Sequence, residues 1–93
     1  MTKEVQEFLD YLDECYEANL LYPTGYEDAI VGIVERFGMS PVILLDKERI
    51  LSILVEDMTR EEAEEFFDYN ILGGWHGEAT PAFVTFTKDL IGR

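Results

Sequence analysis

The sequence predicts an α+β domain of about four helices packed with a small two-stranded β element. Three observations carry this. An amphipathic 3.6-residue period opens the chain, helix-start signatures recur at Thr24, Asp46 and Thr59, and short β-branched runs occur at 42–45 and 82–87. At 93 residues the chain has the length of one domain. Hydrophobic residues make up 47% and aromatics 13% of it, a composition that supports a core and excludes an acidic disordered tail.

Residues 3–20 read as the first helix. At 100° per residue, Val5, Phe8, Leu9, Leu12, Cys15 and Tyr16 fall within an arc of about 120°, opposite Glu4, Glu7, Asp10, Asp13, Glu14 and Glu17. Tyr22-Pro23-Thr24-Gly25 is a turn, and Pro23 keeps Tyr22 out of the helical region. Thr24 and Glu27 form a T-x-x-E capping signature for a second helix. Ala29, Ile30, Ile33, Val34 and Phe37 would be its buried face, with Val31 and Gly32 opposite and Gly38 as its C-cap.

Pro41-Val42-Ile43-Leu44-Leu45 reads as a strand by its length and β-branching. Asp46 caps a third helix over 47–57 with Ile50, Leu51, Leu54 and Val55 inward. Thr59-Arg60-Glu61-Glu62 is a capping box for a fourth helix to residue 71, with Ala63, Phe66, Phe67, Asn70 and Ile71 inward and Gly73-Gly74 ending it. Residues 82–87 supply the second strand, whose expected partner is 42–45, and the last few residues are expected to fray.

The charge is the other conspicuous property. Twenty acids against seven bases give a formal net charge of -13. Between Lys3 and Arg36 there are nine acids and no base. Asp10/Glu14, Asp13/Glu17, Glu61/Glu65 and Glu64/Asp68 are like-charge pairs at i,i+4, each costing a few tenths of a kcal/mol. Acids in a first helical turn are favoured by the helix dipole. Asp13, Glu14, Glu17, Glu65 and Asp68 have no such support, which makes them the informative ones. A solvated, solubilising face explains them without a partner. The alternative is a docking face for a protein with a basic surface, on the pattern of DNA mimicry, because carboxylates one helical turn apart are spaced much like phosphates along a strand. The candidate partner-binding residues are Asp10, Asp13, Glu14, Glu17, Glu61, Glu65 and Asp68. Direct nucleic-acid binding is not expected, since the phosphate backbone selects for Lys and Arg. A homodimer is a possible assembly.

No cofactor and no metal site is expected: there is no EF-hand loop, and His76 has no second His or thiolate near it in sequence. The single Cys15 excludes an internal disulfide, the N-terminus has no apolar signal region, and no apolar run reaches a membrane span, so the expected location is cytoplasmic. The pattern points to binding rather than catalysis.

The stretch Gly73-Gly74-Trp75-His76-Gly77-Glu78-Ala79-Thr80-Pro81 holds the only Trp and the only His. Its glycines permit a shaped loop. Trp75 is either a core anchor or an exposed binding aromatic. His76 has the chemistry of an acid or base but no visible catalytic constellation. Glu78 and Thr80 can tie the turn together by hydrogen bonds.

Together, D-A-I-V-G at 28–32, E-R-F-G at 35–38, M-T-R-E-E-A at 58–63 and G-G-W-H-G-E-A-T-P-A-F at 73–83 resemble a group of small phage and prophage proteins. The resemblance covers residues 26–83 and implies no activity, cofactor or catalytic residue. It implies a phage accessory protein acting on a host system; joined to the acidic face, this gives the expectation of an inhibitor or modulator of a nucleic-acid-binding or defence protein in the host cytoplasm. A self-assembling accessory role and a small-ligand site on the loop at 73–81 remain the alternatives.

Overall fold

The computed structural model describes residues 3–15, 25–74, 77 and 80–91, with side chains in the first helix described as far as Tyr11. Helix α1 spans Lys3–Cys15, shorter than the expected 3–20. Its apolar stripe behaves as the period requires. Val5 is buried, Phe8 and Leu9 pack against the core, and Glu4, Glu7 and Asp10 face solvent. Leu12, Cys15 and Tyr16, the rest of the expected stripe, lie outside the described side chains.

The expected second helix is a strand. A single 3-10 turn at Glu27–Ala29 leads directly into β1, Ile30–Arg36, which pairs antiparallel with β2, Met39–Asp46. Two physical terms override the helical period. Ile30, Val31, Ile33 and Val34 are β-branched, stiff at χ1 and suited to a pleated surface. Gly32 weakens a helix interior by roughly 1 kcal/mol. Phe37, placed on the buried face by the helical reading, is fully exposed at the hairpin tip. Gly38 adopts φ +77° there. A positive-φ glycine serves equally at a helix C-cap and in a hairpin turn, so its presence could not separate the two. Glu27 does reach back to a backbone donor: the Gly25 N–H donates to its carboxylate at 3.1 and 3.2 Å.

Among the described residues the sheet therefore has three strands rather than two, in the order β1-β2-β3. Strand β3, Ala82–Val84, lies parallel to β2 with Leu44 opposite Ala82, Leu45 opposite Phe83 and Asp46 opposite Val84. This is the pairing the sequence suggested, over a shorter strand. A parallel neighbour needs a long crossover, supplied here by two helices. Helix α2, Lys47–Leu54, starts at Asp46, whose carboxylate accepts from the Glu48 N–H at 3.0 Å. Ile50, Leu51 and Leu54 are buried, whereas Val55, expected inward, falls at the helix end and is exposed.

Helix α3, Arg60–Phe66, begins with the predicted capping box. The Thr59 N–H donates to the Glu62 carboxylate at 3.1 Å, and the Glu62 N–H donates to Thr59 Oγ1 at 3.2 Å. The backbone bond from Thr59, then its side chain, hold the Glu62 carboxyl below its ordinary value of 4.5. A lowered folded-state pKa contributes stability that is complete above the ordinary value and is lost as pH falls through the lowered one. Glu62→Gln is therefore expected to flatten the loss of stability between pH 4.5 and more acid conditions. Urea unfolding of both proteins across that window checks it; parallel pH profiles would contradict it.

Beyond Phe66 the helix widens into a π-helical segment, Phe67–Leu72. The Gly73 N–H closes it on the Asp68 carbonyl at 3.1 Å. A Cβ on Gly73 would sit 3.0 Å from that oxygen and 3.2 Å from the Tyr69 carbonyl oxygen, tight contacts with backbone that favour glycine at the end of the helix. The widening rotates side chains off a 100° period. Ala63 and Phe67 are buried and Ile71 packs on the core, but Phe66 and Asn70, expected inward, are exposed. Phe67 meets Phe83 of β3 edge to face, with centroids 5.1 Å apart at 85°. The chain then forms a short helix α4, Thr87–Ile91, where the sequence extends the second strand to Thr87. One core joins Val5, Ala29, Ile30, Ile43, Leu45, Ile50, Leu51, Leu54, Ala63 and Phe67, so helices and sheet form an α+β fold, with four α-helices among the described residues.

Candidate functional site

The acidic candidates divide between α1 and α3. Asp10 is exposed on α1 and accepts from Gln6 Nε2 at 3.0 Å. Asp13 and Glu14 lie on the α1 backbone with side chains outside the described set, and Glu17 lies outside the described residues. On α3 and its π extension, Glu61, Glu65 and Asp68 are all exposed.

Most of the described cations have contacts of their own. Arg60 bridges Glu48 at 3.0 Å and Glu64 at 3.3 Å. Lys47 Nζ sits 5.2 Å from the Phe67 ring centroid, and Lys88 Nζ 5.9 Å from that of Phe86. Lys3 faces Glu7 at 4.0 Å within α1. Among the described residues, no Lys or Arg nitrogen lies within ion-pair reach of Glu61, Glu65 or Asp68. The α3 carboxylates thus form an uncompensated exposed face beside the exposed side chains of Phe66 and Tyr69.

Of the loop candidates, only Thr80 is described. Its hydroxyl donates to the Gly77 carbonyl at 2.6 Å and its N–H to the same oxygen at 3.1 Å, with Gly77 at φ +87°. Thr80 therefore ties the turn, one of the roles expected of it. Trp75, His76 and Glu78 lie outside the described residues. Among the described residues, no group of three or more His, Cys, Asp or Glu could hold a metal ion. No helix there is long and apolar enough to cross a membrane.

A third feature was not visible in the sequence. A cleft of about 940 Å³ lies between the first turns of α1 and the start of β1. Val5, Phe8, Ile30 and Val31 are its apolar lining. Lys3, Glu4, Asp28 and Arg49 are its charged lining. Arg49 is positioned by α2: its Nε lies 3.6 Å from Asp46 Oδ2, and its Nη1 donates to the Asp28 carbonyl at 3.5 Å. Asp46 is itself buried and held as the α2 cap. Finding this cleft required knowing that residues 30–36 form a strand. Read as a helix, they place Val31 on an outer face far from Val5.

No family model, curated protein or solved structure matches the chain.

Proposed function

We propose that this is an acidic binding protein whose exposed carboxylate faces engage a partner with a basic surface. The observation that carries the reading is the arrangement on α3. Glu61, Glu65 and Asp68 stand exposed without a cation among the described residues, while Arg60 is spent on Glu48 and Glu64. Like charges one turn apart destabilise a helix by a few tenths of a kcal/mol per pair. A basic partner removes that repulsion on binding and gains speed from long-range attraction to a chain of net charge -13. The sequence resemblance supports a phage accessory protein, and a nucleic-acid-binding or defence protein of the host is the class of partner whose Arg/Lys groove such a face fits.

Affinity capture from a bacterial lysate, read by mass spectrometry, tests this. The parent is compared with two variants, Asp13→Lys/Glu17→Lys and Glu61→Lys/Glu65→Lys/Asp68→Lys. A partner held by the parent at low salt and lost by at least one variant of unchanged circular dichroism is the expected result. Equal capture by all three proteins, or none by the parent, overturns the reading.

A second reading, self-assembly, is favoured by a different observation. Phe37, Tyr69, Leu90 and Ile91 are all more than two-thirds exposed or nearly so, at 107%, 83%, 67% and 78%. Sedimentation across a concentration series separates the two: a stable oligomer that survives both sets of charge reversals supports assembly, and a monomer at high concentration removes it.

A further inference from the structure

We propose that the cleft between α1 and β1 binds a short zwitterionic peptide with bulky apolar side chains. The site is separate from the acidic face of α3, and the inference stands or falls independently of the partner reading. Three properties define the ligand. The first is apolar surface. Val5 and Ile30 are core residues at the base of the cleft lining, and Phe8 and Val31 extend that lining outward as half-buried groups. Ligand sites combine apolar walls of this kind with a few placed polar groups.

The second is a charged lining of both signs: Lys3 and Arg49 against Glu4 and Asp28. A simple anion would meet two carboxylates and the field of a chain of net charge -13. A simple cation would meet a lysine and an arginine. A molecule carrying one ammonium and one carboxylate is attracted by both pairs and, being neutral overall, incurs no long-range penalty. Arg49 is the member whose planar fork suits a carboxylate. Its contacts engage Nε and Nη1, and the fork keeps further N–H donors on Nη2.

The third is size. At about 940 Å³ the cleft is near the upper end of the range for small-ligand sites, roughly 300–1,000 Å³, which leaves room for more than a single amino acid. An apolar dipeptide satisfies all three conditions, with its two side chains on the apolar lining and its termini toward opposite charges.

Leucyl-phenylalanine is the probe. Isothermal titration is expected to show saturable binding of the free dipeptide, weakened about tenfold by N-acetylation and about tenfold by C-amidation, the scale of one charge-assisted hydrogen bond. Arg49→Gln is expected to lower affinity for the free dipeptide about tenfold while leaving that for the amide unchanged. Val31→Trp, which fills the cleft, is expected to abolish binding. Absence of binding by the parent at millimolar dipeptide overturns the proposal. So does equal binding of the doubly blocked peptide, or an Arg49→Gln variant that keeps the parent's preference for the free over the amidated form. Should Val31→Trp fail to fold, the exposed Arg49 substitution decides the matter alone.

Discussion

Phe67→Ala is expected to lower the stability of this domain by about 3–5 kcal/mol, the usual cost of emptying a buried aromatic site. Phe67 is 1% exposed and joins three parts of the fold. It projects from the π-helical segment after α3, packs edge to face on Phe83 of β3, and carries the Lys47 ammonium 5.2 Å from its ring centroid. The aromatic pair adds about 0.5–1.5 kcal/mol beyond its buried area. The site cannot collapse easily, because its ring partner Phe83 belongs to a strand held in parallel register on β2. Domains of this size lose roughly 4–8 °C of Tm per kcal/mol, so a fall of more than about 12 °C is expected. Since total stabilities are about 5–15 kcal/mol, part of the variant population should be unfolded at ambient temperature. Thermal melting and urea titration measure this, and a loss below about 1 kcal/mol would show that Phe67 does not hold helix and sheet together.

Leu45→Ala is expected to cost about 2–5 kcal/mol. Leu45 is fully buried on the central strand, with Ile30 of β1 opposite it on one side and Phe83 of β3 on the other. Removing its side chain opens a cavity beneath both strand pairings at once. The loss should therefore exceed that of an edge-strand truncation such as Val34→Ala, where the side chain is only half-buried. Urea unfolding of the two variants compares them directly; equal losses would contradict a core centred on β2. Because Ile30 also lines the α1–β1 cleft, Leu45→Ala should loosen that cleft as well, whereas Val34→Ala should leave it intact.

The candidate sites were unevenly legible. The acid runs can be read from the sequence because exposure of a Glu or Asp on an amphipathic helix follows from the period that buries its neighbours, as Asp10, Glu61, Glu65 and Asp68 show. The cleft could not be read. Its lining comes from α1, from the turn before β1, from β1 and from α2, and only the sheet brings these together. The wrong secondary structure for residues 30–34 hid it, since the periods of 3.6 and 2 place the same apolar residues on different faces.

What the sequence determined by itself is the local chemistry. Asp46 begins α2, Thr59 and Glu62 begin α3, and Gly73 closes the widened turn after it. Each of these depends on donors and acceptors within a few residues, so the chain specifies them before it folds. The acid surplus is of the same kind. Tertiary structure decided the rest. Ile30–Arg36 became a strand because β2 offers an antiparallel partner, with irregularities between Ile30 and Gly32 and between Val34 and Arg36, for β-branched residues that a lone helix would accommodate poorly. Asn70 turned outward because the segment from Phe67 to Leu72 widens while Phe67 reaches Phe83, and Phe66 lies off the Ala63–Phe67–Ile71 stripe that packs on the core. Those outcomes depend on contacts between residues distant in the chain, which no local pattern encodes.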